Sequence, residues 1–278
     1  MSTKMLCASA RTRFIPSFSL LPPQPIYRRP NCLIHHRRNH ITMSAQDQVV
    51  EHVVLVKVKP DVDSSKVAAM ITGLNGLTSL NLTLHLTAGQ LLRSRSSSLN
   101  FTHMLHSRYR SKDDLQQYAV HPEHVRVVTE NIKPIIDDVM AVDWMSNGAS
   151  SVSLKPGSAM RVTFVKLKEN LGENEKSRVL EVIGGIKDEF PRIEELSVGE
   201  NFSHDRAKGY TIASVAVLGG PADLEALDSN AELVQLHKEK VKDLIESVVV
   251  VDYVIPPRRR LTSEGALEES WVKTKRWG

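Results

Sequence analysis

Two β-branched runs, at 52–59 and 160–168, each open the same succession of patterns along the chain, and runs of this kind read as strands. After the second run, Val179, Ile183, Ile186 and Phe190 recur at i, i+4, i+7 and i+11. That spacing lays one apolar face along a helix, with Asn174 as the expected cap before Glu175. Two extended runs follow, at about 82–91 and 100–109 in the first half and at 193–200 and 209–218 in the second, with loops rich in serine or charge between them. Asp113-Asp114 and Pro221-Ala222-Asp223 then begin a helical segment, interrupted in the first half by Pro122. A β-branched strand closes each half, at Val139–Trp144 and Val248–Val254.

The two successions are copies of one unit. At an offset of 109, His52–Lys59 falls on Arg161–Lys168, Asn100-Phe101-Thr102 on Gly209-Tyr210-Thr211, and Val142-Asp143-Trp144 on Val251-Asp252-Tyr253, while Gly89 meets Gly199 at offset 110. Registers kept at both ends of a unit of this length argue for duplication. The order β-α-β-β-α-β implies an α+β ferredoxin-like unit with an antiparallel sheet and helices on one face. The other face would be bare and apolar, so the expected assembly is a dimeric α/β barrel formed within one chain, the tandem units pairing sheet to sheet. Two separate beads, each dimerising with another chain, are the alternative. The organisation expected is a leader over 1–45, units over 47–145 and 158–255, a flexible linker over 146–157 and a basic tail over 256–278.

Charge placement changes what the composition implies. The 278 residues hold 36 Lys and Arg against 32 Asp and Glu, a net charge of +4. Seven of those cations lie in residues 1–46 with no carboxylate, so the rest is mildly acidic and offers no footprint for duplex nucleic acid. The leader is rich in Arg, Ser and Pro and lacks the apolar core of a secretion signal, which is the profile of a transit peptide. A chloroplast address is expected, with the mitochondrion as alternative; the ending Lys275-Arg276-Trp277-Gly278 is not a peroxisomal signal of the Ser-Lys-Leu type. A basic arm for an anionic partner would show the same composition. Both cysteines, Cys7 and Cys32, fall in the leader, so the processed protein would have no thiolate chemistry. No apolar run reaches the length of a membrane span.

Glu51–Lys59, then Phe101-Thr102-His103, then Tyr118-Ala119-Val120-His121-Pro122-Glu123-His124, closing with Ala141–Trp144, resembles the stress-responsive dimeric α/β-barrel family, and the whole resembles its plant two-domain, organelle-directed members. The resemblance implies roles in stress and defence without turnover, and this is the expected function. It also implies an alternative, because olivetolic acid cyclase, a polyketide cyclase of this fold, is similar at the positions of His52, His103, Tyr118 and His124. There His124 would be the base and Tyr118 the hydrogen-bond donor for enolate formation, His52 and His103 would line the cavity, and a small apolar or polyketide-like molecule would be the ligand. A further pocket tyrosine of the cyclase falls on Leu74 here. No cofactor is required by either role, although relatives imply a structural divalent ion such as Mg on backbone carbonyls near Leu74–Leu80. A self-associating interaction module is a third reading.

Two considerations bear on these roles. The second copy reads Arg161, Ile212, Leu227 and Leu233 at the four positions, so every titratable candidate is confined to the first copy. Equally, His121 and His124 could simply serve the broken helix as caps, with Tyr118 packed beside them and its hydroxyl at the rim. A closed apolar pocket of some hundreds of Å³ beside His124 would favour the enzyme, and a filled core the stress protein.

Overall fold

The computed structural model describes residues 48–96, 99–147 and 154–256, so the leader and the tail beyond Pro256 lie outside the described residues. The first half comprises β1 (Gln48–Val58), α1 (Ser64–Gly76), β2 (His85–Gln90), β3 (Arg93–Arg95), β4 (His103–Tyr109), α2 (Lys112–Val120), α3 (Pro122–Val127) and β5 (Ile136–Asn147). The second comprises β6 (Ala159–Leu167), α4 (Glu173–Gly184), α5 (Ile186–Glu189), β7 (Ile193–Glu200), β8 (Ile212–Leu218), α6 (Pro221–Ser229), α7 (Ala231–Val241) and β9 (Ile245–Val254).

The strands form two antiparallel sheets, ordered β2-β4-β1-β5 and β3-β9-β6-β8-β7. Alternation along β1 sends Val53 and Leu55 into the space between the sheets and Val50 and Val56 against the helices. Both faces of the strand are therefore apolar, which explains the near-continuous hydrophobic run. The interior between the sheets draws on both halves: Val53, Leu55, Met140 and Trp144 pack with Val162, Phe164, Val251 and Tyr253. The tandem units are thus paired within one chain, each covering the sheet face the other would expose to water.

The seams repeat by pseudo-twofold symmetry. The chain leaving β2 crosses to the second sheet, where Leu92 N donates to Asp252 O (2.8 Å) and β3 pairs with β9; the chain leaving β7 crosses the other way, and Phe202 N donates to Asp143 O (2.9 Å). Trp144 Nε1 donates to Ser197 Oγ (2.8 Å), and Tyr253 Oη lies 2.8 Å from Thr87 Oγ1 at the matching place. Each aromatic rests on the other half's glycine: a Cβ on Gly199 would lie 2.6 Å from Met145 O and 2.8 Å from Trp144 Cδ1, and one on Gly89 3.1 Å from Tyr253 Oη. The paired glycine landmarks in the sequence are points of close approach between the halves.

Four local expectations are corrected. Asn174 lies in the first turn of α4 and does not cap it; Gly172 is the cap, and Glu175 Oε2 reaches back to accept from its N–H (3.0 Å). The apolar face Val179–Phe190 is not one helix, because α4 ends at Gly184 and α5 starts at Ile186. The helical segment is broken in both halves, at His121 by the proline that follows and at Asn230, whose side chain caps α7 by accepting from Leu233 N (3.2 Å). The serine-rich loop of the first half also contains a strand, β3, invisible locally because its partner is in the other half.

Candidate functional site

The helix-facing side of the first sheet carries a chain of polar and aromatic groups. His52 stands opposite Ser107 on β4 and Asp143 on β5, and its Nδ1 is 2.5 Å from Asp143 Oδ1. Burial works to raise the Asp143 pKa, but His52, by charge and hydrogen bond, with Ser203 and Arg206, brings it below the ordinary value. The carboxylate is therefore ionised and orients the imidazole. Tyr109 meets His52 edge-on, with centroids 6.2 Å apart, and exchanges a 3.0 Å hydrogen bond with Ser107 Oγ. Tyr118 lies 5.3 Å from Tyr109, and His124 lies 4.6 Å from Tyr118, so the rings run unbroken from β1 to α3.

The Pro-broken helix sets the far end of this chain. Pro122 is the first residue of α3, where its missing N–H costs nothing, and His121 caps that helix by accepting from Glu123 N at 3.2 Å. The break lets His124 Nδ1 reach Ala119 O (2.9 Å); a carbonyl only accepts, so the proton is on Nδ1 and the lone pair on Nε2. Burial lowers the His124 pKa, and neighbouring His52, Arg206 and His121 oppose protonation further. Tyr118 is 1% exposed, its hydroxyl is sealed without a hydrogen bond of normal geometry, and burial raises its pKa. The hydroxyl is thus in the interior and not at the rim. His103, four residues along β4 from Ser107 and so about 13 Å away, hydrogen-bonds Thr102 Oγ1 (2.9 Å) and does not join the group.

An open cleft of about 390 Å³ adjoins this array at one point, Asp143. Its walls are Ala141 and Asp143 on β5 and the segment Phe202–Arg206 that crosses from the second half. His52, His103, Tyr118 and His124 are not among the residues that line this cleft, and the Tyr109 and Tyr118 rings pack with Leu115 of α2 and Val127 of α3.

In the second half the corresponding place holds charge. Arg161, at the position of His52, binds Asp252 through Nε and Nη2 (2.8 and 3.0 Å) and Asp228 through Nη1 (2.7 Å), and Arg93 Nε on β3 also binds Asp252 (3.0 Å). Leu227 and Leu233 pack in the core under α6 and α7.

Inside the barrel is a second ionic group, not anticipated from the sequence. Glu51 accepts from Arg108 Nε (3.0 Å) and is 2.6 Å from His106 Nε2, while Arg108 also binds Glu195 of the second half. Burial opposes charge on Glu51, yet His106 and Arg108 bring its pKa down to about 2. Burial lowers the His106 pKa and raises that of Glu195. The available signal was strand alternation, since Glu51 shares a face with Val53 and Leu55. For Asp143 the signal was an acid held at the same place in both copies of a β-branched strand, matched by Asp252.

The model of the stress responsive A/B barrel domain matches residues 50–146 and again 160–255. The chain belongs to this family. One stress-response A/B barrel domain-containing protein of Arabidopsis thaliana is 43% identical over 93% of this chain and all of its own length. A second protein of that description from the same plant is 42% identical over 75% of this chain and 97% of its own. Among solved structures, an anthrone oxidase-like protein superposes with a TM-score of 0.50 at 11% identity, covering 76% of this chain and 95% of that one, a likeness of fold.

The stretch expected to hold a divalent ion would do so through backbone carbonyls. Residues 74–80 contain no carboxylate, and the carbonyls of Leu74, Asn75 and Thr78 accept N–H bonds from the helix end and the short 3₁₀ turn Leu77–Leu80 that follows. Among the described residues no group of three or more His, Cys, Asp or Glu is placed to hold a metal, and no helix is long and apolar enough to cross a membrane.

Proposed function

We propose that this A/B barrel protein serves in stress and defence as a stable, internally paired barrel, without turning over a substrate, and that its histidine and tyrosine array is packing between the broken helix and the sheet. The observation that carries this reading is the sealed Tyr118, whose ring is wedged between Tyr109 and His124 with the cleft elsewhere. His121 and His124 are both engaged with backbone around the break, as structural residues would be. The deciding experiment pairs melting with chemistry. His124→Ala should lower Tm by several degrees, and the wild-type chain should not promote deuterium exchange at the α-carbon of a β-keto ester; exchange lost in a His124→Ala variant of unchanged Tm would overturn the reading.

One observation favours the cyclase-like alternative. Asp143 orients His52, and His124 keeps a free Nε2 that the lowered pKa leaves unprotonated at neutral pH, as a general base requires. In that reading a small polyketide-like ligand would displace the packing around Tyr118, and the same exchange assay detects it. Delivery to the chloroplast by residues 1–45 belongs to the proposal; a fluorescent protein fused behind that segment should accumulate in plastids, and mitochondrial or cytosolic signal would refute it.

A further inference from the structure

The pseudo-twofold supplies an internal template for the cleft beside Asp143. Its counterpart, Asp252, has a side chain only 1% exposed and receives three guanidinium groups: Arg161 from the neighbouring strand and, from the segment crossing over from the other half, Arg93 at 3.0 Å and Arg95 at 3.6 Å. In the first half the same framework is present. Asp143 occupies the equivalent place, His52 replaces Arg161 as the neighbour on the adjacent strand, and the crossing segment is fastened by the equivalent backbone bond.

The crossing guanidinium is what differs. Residue 203, which follows Phe202 as Arg93 follows Leu92, is serine. Its hydroxyl can satisfy one oxygen of Asp143 but cannot fill the volume that a propylguanidinium side chain takes up in the other half. Ser203 and Asp143 instead line the cleft of about 390 Å³, within the range of about 300–1,000 Å³ usual for small-molecule sites. Asp205 is on its wall, so an anion entering would face two carboxylates. Arg206, exposed on the same wall and with no ion pair among the described residues, lends positive charge to Asp143 and competes for it.

We infer that the cleft binds a small organic cation, a guanidinium or primary ammonium group on a short arm, which docks on Asp143 in the place that Arg93 takes against Asp252. The site is built by both halves of the chain, and binding there does not require turnover by the histidines.

The experiment is titration calorimetry of the intact chain with N-propylguanidinium, with butyrate as an anion of similar size. Saturable binding of the cation and none of butyrate is expected. Asp143→Asn should weaken it at least about tenfold, the loss of one charge-assisted contact. Ser203→Arg, which installs the missing guanidinium, should block binding while keeping or raising Tm. Arg206→Ala should tighten it. No saturable binding of the cation, binding unaltered by Ser203→Arg, or butyrate binding that depends on Arg206 would each overturn the inference. Arg206 is exposed and Ser203 is half-buried on the cleft wall, so Arg206→Ala and Ser203→Arg keep the test standing even if Asp143→Asn fails to fold.

Discussion

Asp143 ties together groups from both halves: it holds His52 by its side chain, accepts Phe202 N–H at its carbonyl, and donates its own N–H to Asn201 Oδ1 (3.1 Å). His124, by contrast, makes one backbone bond and one ring contact. Its replacement by alanine should cost about 1–2 kcal/mol, a half-buried hydrogen bond plus some packing, and lower Tm by several degrees in a scanning calorimeter. Tyr118→Phe is expected to be neutral or slightly stabilising, since it removes a buried hydroxyl that lacks a hydrogen bond of normal geometry. A marked loss of stability there would reveal a partner for that oxygen. These residues were legible in the sequence as a cluster of type and spacing. Their engagement with the broken helix was not, because whether an imidazole faces a carbonyl or a cavity depends on the turn geometry at Pro122.

At the scale of elements, the seams between the halves are made by short segments with weak local signals. β3 has three residues, two of them arginines, and it is a strand because β9 has an open edge and Asp252 and Asp228 attract its guanidinium groups. Asp252→Ala would leave Arg161, only 11% exposed, without its main partner. The expected loss is about 3 kcal/mol, as for a broken buried pair, read from urea unfolding. Gly199→Ala tests the other seam: with Trp144 and the Met145 carbonyl below 3 Å from the added carbon, β7 has to move off β5. A cost of about 1–3 kcal/mol is expected, and an unchanged urea midpoint would show that the seam yields freely.

For the whole molecule, the apolar interior shared by both sheets is the main cohesive element, and the buried Glu51, His106, Arg108 and Glu195 group fixes one half against the other. Residues 47–145 expressed alone should therefore self-associate in light scattering, the second copy of that unit standing in for the missing half; a well-behaved monomer would contradict the cohesion argued for. The ionic group sets a pH dependence. Glu51 titrates at about 2 in the fold against 4.5 ordinarily, so its contribution is complete above 4.5 and is lost as pH falls toward 2. His106 is lowered from 6.5, so below that value the unfolded chain takes up a proton that the fold resists, again reducing stability. Glu195, raised, acts in the opposite sense, and its ionisation lessens stability as pH rises from 4.5. Tm should fall from neutral pH toward acid, with a shallower fall below 4.5 in Glu51→Gln, provided that variant folds.

The amino-acid sequence by itself determined the element order, the duplication and the pairing of the two sheets, because alternation and periodicity are local and a bare apolar sheet must be covered. It also marked Asp143 and Asp252, Gly89 and Gly199, and Trp144 and Tyr253 as paired positions without revealing their purpose. Only the tertiary structure decided that each glycine receives the other half's aromatic ring, that β3 belongs to the second sheet, and that the second half's site is closed by Arg93 while the first half's stays open. These are contacts between residues about 50 to 160 positions apart, and their energies depend on distance and burial that no local pattern along the chain encodes.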